Sequence, residues 1–154
     1  RPFKVGEYVN AGGAEGTVDK ISLFTTTISP VDNRLIIVPN SAITAGNITN
    51  FSTKPVRRVD HTVGIAYDED IKKAKEIMYG VIEKSKHTLS DPEPLVAVKE
   101  LADSSVNFTV RAWVNSADYW PAYFEIIEEV KYALDEAGIT IPFPQMDIHM
   151  DKGE

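Results

Sequence analysis

The chain has 154 residues, 43% hydrophobic and 25% charged, with no cysteine, which describes a globular protein of one or two small domains and excludes disulfides and thiolate metal sites. Its formal net charge of −7 opposes binding to phosphate backbones and anionic membrane surfaces. No apolar run reaches the ~18–20 residues that cross a bilayer and no signal-peptide pattern is visible, but the chain starts Arg1-Pro2-Phe3 without an initiator Met, so these absences say nothing of a longer parent.

Residues 1–52 carry the pattern of short strands and turns. Glu7-Tyr8-Val9 is brief and β-like, and Gly12-Gly13 makes a turn. The stretch GTVDKISLFTTTIS, residues 16–29, is rich in β-branched and aromatic residues. Pro30-Val31-Asp32-Asn33 signals a turn, and residues 34–38, RLIIV, form a strand that Pro39 ends because proline cannot donate a ladder hydrogen bond. Asn40 is placed to cap a short helical turn over 41–46, closed by Gly46-Asn47, after which the chain is extended again. The pattern predicts a small, highly curved β-barrel, near the lower size limit for a self-sufficient core, so it should lean on a neighbour.

Residues 53–58 form a polar hinge. Val59, His61, Val63 and Ile65 then alternate as in a strand. Asp68-Glu69-Asp70 puts acids where a helix begins, and Ile71, Ala74, Ile77, Met78, Val81 and Ile82 make its apolar stripe. Residues 90–94 are a loop, 95–101 a strand, and 105–114 a second strand with Val106, Phe108, Val110, Ala112 and Val114 on one face. Ser116 or Asp118 caps a second helix with Pro121 in its first turn and Tyr123, Ile126, Ile127, Val130 and Leu134 on its apolar face; Gly138 ends it. The order β-α-β-β-α over 59–140 is that of a ferredoxin-like α/β domain lacking its last strand. Residues 141–150 are candidates for that strand, but Pro142 and Pro144 point to a segment that leaves the sheet and pairs elsewhere, followed by a tail at 151–154.

Five blocks occur in order along this chain: RPFKVGEYV at its start with GTV at 16–18, VPNSAITAGNITNFS at 38–52, GIAYDEDI at 64–71 and PFPQMD at 142–147. Together they resemble the soluble region of the small-conductance mechanosensitive channel (MscS) family, over essentially the whole chain. The resemblance implies an α+β chain: a small Sm-like β-barrel domain, a ferredoxin-like α/β domain, and a C-terminal strand in an intersubunit parallel β-barrel. It implies a homo-heptamer whose transmembrane helices precede this region and whose soluble part forms a hollow cage on the cytoplasmic face of the bacterial or archaeal inner membrane. Tension would open the channel for osmotic protection, and the cage would filter ions and small solutes.

By the same resemblance, Pro39, Asn40 and Ser41 form the loop facing the pore helix, with Asn50 and Phe51 on the return path at a subunit contact. Ser41 stands where family members often carry Gly, and a positive φ there would strain it. Met146, Asp147, Ile148, His149 and Met150 would belong to the barrel strand, where a ring of histidines could respond to pH. Lys54, Arg57 and Arg58 are the basic candidates for lining the cage openings.

Nothing in the sequence points to catalysis or a cofactor. His61, His87 and His149 are isolated and lack metal-ligand spacing. Asp68, Glu69 and Asp70 read as a solvated helix start, and no catalytic carboxylate pair, Ser-His-Asp grouping or phosphate loop is present. Three glycosylation sequons, at Asn47, Asn50 and Asn107, are matches of a common motif without a secretory context. The alternative function is an RNA-binding ring, since Sm-like and split βαβ folds both bind RNA. SVNFTVRAWV lacks the glycine and aromatic spacing of an RNA-recognition strand, and the charge is of the wrong sign, so no nucleic-acid partner is expected.

Overall fold

A computed structural model describes residues 2–153; Arg1, at the head of the first quoted block, and Glu154, at the end of the tail, lie outside it. The chain divides into two compact units between Arg57 and Arg58.

The first unit is a five-stranded sheet in the order β4-β3-β2-β1-β5. β1 (Tyr8–Ala11) and β2 (Ala14–Ile21) are joined at Gly12-Gly13, whose φ values of 59° and 82° suit a tight hairpin turn. β2 pairs antiparallel with β3 (Thr25–Ser29), with an irregularity between Val18 and Lys20. β4 (Ile36–Pro39) lies on one edge and the two-residue β5 (Thr49–Asn50) on the other. One face buries Val9, Ala11, Val18, Ile28 and Val38, with Phe3 and Ile43 packed into the same core.

This sheet does not close, which corrects the expected Sm-like β-barrel. Closure would require β4 to pair with β5, and the chain instead pairs β4 only with β3 and β5 only with β1. Between them the backbone enters a short helix, α1 (Asn40–Thr44), which uses up the residues that could have extended either edge. Two residues of β5 are too few to satisfy a second ladder.

In the second unit β6 (Val56–Ile65), β8 (Val106–Asn115) and β7 (Leu95–Leu101) form a sheet in that spatial order, with β7 and β8 antiparallel. α2 (Ile71–Lys84) and α3 (Tyr119–Glu136) pack on one face of it. α2 buries Ala74, Met78 and Ile82; α3 buries Ala122, Ile126, Val130 and Leu134; Val59, Val63, Ile65, Val96, Phe108 and Val110 meet them from the strands. Asp70 is the N-cap of α2 and its carboxylate accepts the Lys73 N–H at 3.2 Å. At the C-terminus of α3 the Ile139 N–H bonds to the Leu134 carbonyl at 2.9 Å, closing the helix end around Gly138.

Two further expectations are corrected here. The second unit's sheet has the three strands of the expected β-α-β-β-α order, but residues 141–153 form no strand, so the expected C-terminal barrel strand is not formed in this chain. Pro142 and Pro144 remove two ladder donors from the segment. Asp118 does not cap α3 with its side chain; a 3₁₀ turn (Ser116–Asp118) leads into the helix instead.

Candidate functional site

The predicted loop residues Pro39, Asn40 and Ser41 lie where β4 passes into α1. Asn40 is the first helical residue rather than the N-cap, and its side chain faces the β2–β3 turn. The Asn40 amide donates to the carbonyls of Ser22 (2.9 Å) and Leu23 (3.1 Å), and its oxygen accepts from the hydroxyl of buried Thr26 at 2.7 Å. The Asn40 backbone N–H adds a bond to the Phe24 carbonyl at 2.8 Å. That turn contains no Gly, Pro or Asn of its own, so Asn40 supplies from 17 residues away the partners its backbone needs. Thr26 also gains the partner that a buried hydroxyl requires. Ser41 is helical and exposed, and Asn33 is the non-glycine residue with positive φ among those described, so the strain envisaged at Ser41 is absent.

Asn50 and Phe51 are brought together at the other edge of the sheet, away from Asn40. The Asn50 amide donates to the Pro2 carbonyl (3.0 Å) and Glu7 Oε1 (3.3 Å), and its oxygen accepts the N–H groups of Ser52 (2.9 Å) and Thr53 (3.0 Å). Asn50 thus closes the unit's first and last segments on one another. Phe51 stacks obliquely on Tyr8, with ring centroids 5.6 Å apart, and carries the Arg57 guanidinium 4.7 Å from its ring centroid. Of the three basic candidates, Arg57 rests on Phe51, and Arg58 is held by both oxygens of Asp60 at 2.7 and 3.0 Å. Lys54 is exposed in the connecting segment.

Met146, Asp147, Ile148, His149 and Met150 are exposed and lie outside any helix or strand. Their methionines and isoleucine are 72–83% exposed. Upstream, the Gln145 N–H donates to Ser104 Oγ at 3.0 Å.

One cluster escaped the sequence reading because its members are 31–40 residues apart. His87 lies with its Nε2 3.6 Å from Glu125 and its Nδ1 4.0 Å from Asp118. Ser85 Oγ bonds to Glu125, and Thr88 Oγ1 donates to the Ile82 carbonyl. The Ser85 hydroxyl is committed to the carboxylate rather than the imidazole, so the geometry ties the end of α2 to the start of α3 and offers no activated nucleophile. His61 is buried, its Nε2 2.8 Å from the Tyr123 carbonyl, and burial lowers its pKa below the usual imidazole value. Among the described residues no group of three or more His, Cys, Asp or Glu could hold a metal ion, and no helix is long and apolar enough to cross a membrane.

Comparison with known proteins places both units. Residues 59–141 match the family described as mechanosensitive ion channel MscS, C-terminal, and residues 1–53 match the mechanosensitive ion channel beta-domain. A small-conductance mechanosensitive channel of Edwardsiella ictaluri is 49% identical over 150 residues, covering 97% of this chain and 52% of that protein. The channel MscMJ of Methanocaldococcus jannaschii is 35% identical over 158 residues, covering 99% of this chain and 45% of that one. The crystal structure of Helicobacter pylori MscS in a closed state superposes with a TM-score of 0.93 at 30% identity, over 99% of this chain and 61% of that chain. Arabidopsis thaliana MSL1 shares the fold, with a TM-score of 0.76 at 19% identity over 93% of this chain. The chain spans about half the length of the curated relatives it matches. With more than half its residues in the MscS C-terminal match and residues 1–53 in the channel beta-domain match, this chain belongs to the MscS family of mechanosensitive ion channels.

Proposed function

We propose that this chain is the cytoplasmic vestibule module of a small-conductance mechanosensitive channel that opens under membrane tension and protects cells from osmotic shock. The observation that carries this reading is the superposition, over 99% of the chain, on the structure of a closed MscS channel. In the parent protein, transmembrane helices precede Arg1, seven identical copies surround the pore axis, and the assembly sits on the cytoplasmic face of the bacterial or archaeal inner membrane. The vestibule holds the pore helices in register and filters permeating ions and small solutes.

Exposed apolar side chains support an assembled state. Leu23 and Phe24 are 83% and 77% exposed at the β2–β3 turn, beside the Pro39–Ser41 segment that we assign to the pore-helix contact. In the second unit Trp120 and Phe124 stack on one another at a centroid distance of 5.8 Å and remain open to solvent. Apolar groups of this size are more at home in protein–protein contacts than in water. Lys54, Arg57 and Arg58 are the residues we assign to the vestibule openings, where charge within a Debye length of ~8 Å acts on passing ions.

The experiment is current recording from membrane patches carrying the full-length parent protein. Stepwise suction is expected to open discrete channels, and a charge reversal at Lys54 is expected to shift the reversal potential in a salt gradient. A folded, membrane-inserted parent that conducts nothing at any tension short of patch rupture would overturn the assignment.

A further inference from the structure

We propose that the groove between α2 and α3 binds a free amino acid with a cationic side chain, lying along the helix axes. The inference stands apart from the channel reading, because it follows from the packing and charges of these two helices alone. The helices run antiparallel and touch at both ends of their contact. Ser85 Oγ meets Glu125 at one end, and the Lys73 ammonium reaches the Ala137 carbonyl at 3.4 Å at the other. Between these contacts lies an open cavity of about 620 Å³, within the size range of small-molecule sites. Its walls are two stripes at helical spacing. Ile77, Gly80, Val81 and Lys84 come from α2. Glu129, Tyr132, Ala133 and Glu136 come from α3.

Gly80 has no conformational reason to be glycine. It lies inside α2 without a positive φ, and a Cβ there would meet no atom within 4 Å. Glycine weakens a helix interior relative to alanine. Neither a turn nor a close neighbour accounts for it, and what it provides is room in the wall of the cavity. The charges around that room are set out in order. Lys84 and Lys86 stand at the end nearest the α2 C-terminus. Four residues inward from Ser85 and Glu125, Val81 is level with Glu129, which places Glu129 within a turn of Lys84. Glu136 follows two turns along α3, about 10 Å at 1.5 Å per residue. None of these four forms an ion pair among the described residues. Glu125, the remaining acid in the lining, is taken by Ser85 and His87.

A cationic amino acid matches this order. Its carboxylate meets Lys84 and Lys86, and its α-ammonium meets Glu129. Its methylene stem covers the apolar floor of Ile77, Gly80 and Val81. Its terminal cation reaches Glu136 beside the Tyr132 ring, an electron-rich face for a guanidinium or ammonium. One exposed ion pair contributes little, so recognition rests on three charged contacts made together across one apolar surface. The same order works against other small ions. A dianion would face Glu129 and Glu136, and a polyamine without a carboxylate would face Lys84 and Lys86.

The test is isothermal titration of the detergent-solubilised full-length parent with L-arginine, L-norleucine and agmatine at constant ionic strength. Saturable binding of L-arginine is expected. L-Norleucine lacks the terminal cation and agmatine lacks the carboxylate, so each is expected to bind about tenfold more weakly or worse. Gly80→Leu is expected to weaken L-arginine binding about tenfold or more by filling the groove, while raising the thermal unfolding midpoint, because leucine is the better helix former. Glu136→Gln is expected to remove the advantage of L-arginine over L-norleucine, and Lys84→Gln its advantage over agmatine. The control Lys131→Gln, on the exposed face of α3 in an ion pair with Asp135, is expected to leave binding unchanged. The proposal is overturned if L-arginine does not bind saturably, if a folded Gly80→Leu variant binds it as well as wild type, or if agmatine binds as tightly. It is equally overturned if a structure of the assembled parent seats a neighbouring copy in the groove.

Discussion

Asn40 shows how one side chain can stand in for local turn chemistry. Its amide and its backbone N–H serve three consecutive carbonyls, those of Ser22, Leu23 and Phe24, while its oxygen satisfies buried Thr26. Asn40→Ala is expected to destabilise the protein by roughly 1–3 kcal/mol, because it strands a buried hydroxyl and two carbonyls; urea denaturation of the variant measures it. Asn40→Asp would keep the acceptor for Thr26 and lose both amide donors, so it should not restore stability. His61 makes a prediction of a different kind. Burial disfavours its cationic form, outweighing the Tyr123 carbonyl and the Asp60 charge, which both favour it. The folded state then binds a proton less readily than the unfolded chain, whose imidazole titrates near 6.5. Its contribution to stability is complete above that value and declines as pH falls below it. Thermal unfolding of wild type and His61→Gln between pH 7.5 and 5.5 should show a fall in midpoint for wild type that is shallower in the variant. Equal slopes would show that His61 does not titrate differently on folding.

Periodicity made the two long helices legible. Ala74, Met78 and Ile82 recur at intervals of four and are buried on α2; Ile126, Val130 and Leu134 do the same on α3. Ile71 and Ile127, read into the same stripes, lie at their margins and are 37% exposed. The alternation along β8 was equally plain, because one face is packed against helices. The β2–β3 hairpin was invisible for a physical reason. Ser22-Leu23-Phe24 has no Gly, Pro, Asn or Asp to mark a bend, and the residue that supports the bend lies far downstream. Asn40 itself was misread as a cap because its side chain serves the hairpin rather than its own helix. Close strand packing supplies another test. A Cβ on Gly16 would lie 2.3 Å from the Ser29 carbonyl oxygen, a backbone atom that cannot give way without breaking the β2–β3 ladder. Gly16→Ala is expected to cost about 1–3 kcal/mol in chemical denaturation, whereas Gly13→Ala in the turn would be penalised for its φ of 82° and not for contact.

At the scale of the whole chain, the α+β class and the family were readable, because the motifs at 38–52, 64–71 and 142–147 hold their order and spacing. Closure of the first sheet was not readable. Whether an edge strand finds a partner depends on lengths such as the two residues of β5, and no local pattern reports that. The partners of the candidate residues were not readable. Asn40, Asn50, Arg57 and Arg58 each have a partner within this chain that no sequence motif foretold. What the chain leaves exposed is the basis for expecting more copies. The apolar groups at Leu23, Phe24, Trp120, Phe124, Met146, Ile148 and Met150 are between 45% and 83% exposed. We therefore expect the surrounding copies to cover most of that surface. The most direct measurement is the native mass of the detergent-solubilised parent protein. The account predicts seven identical chains in one particle at micromolar concentration; a particle of one or two chains under the same conditions would contradict it.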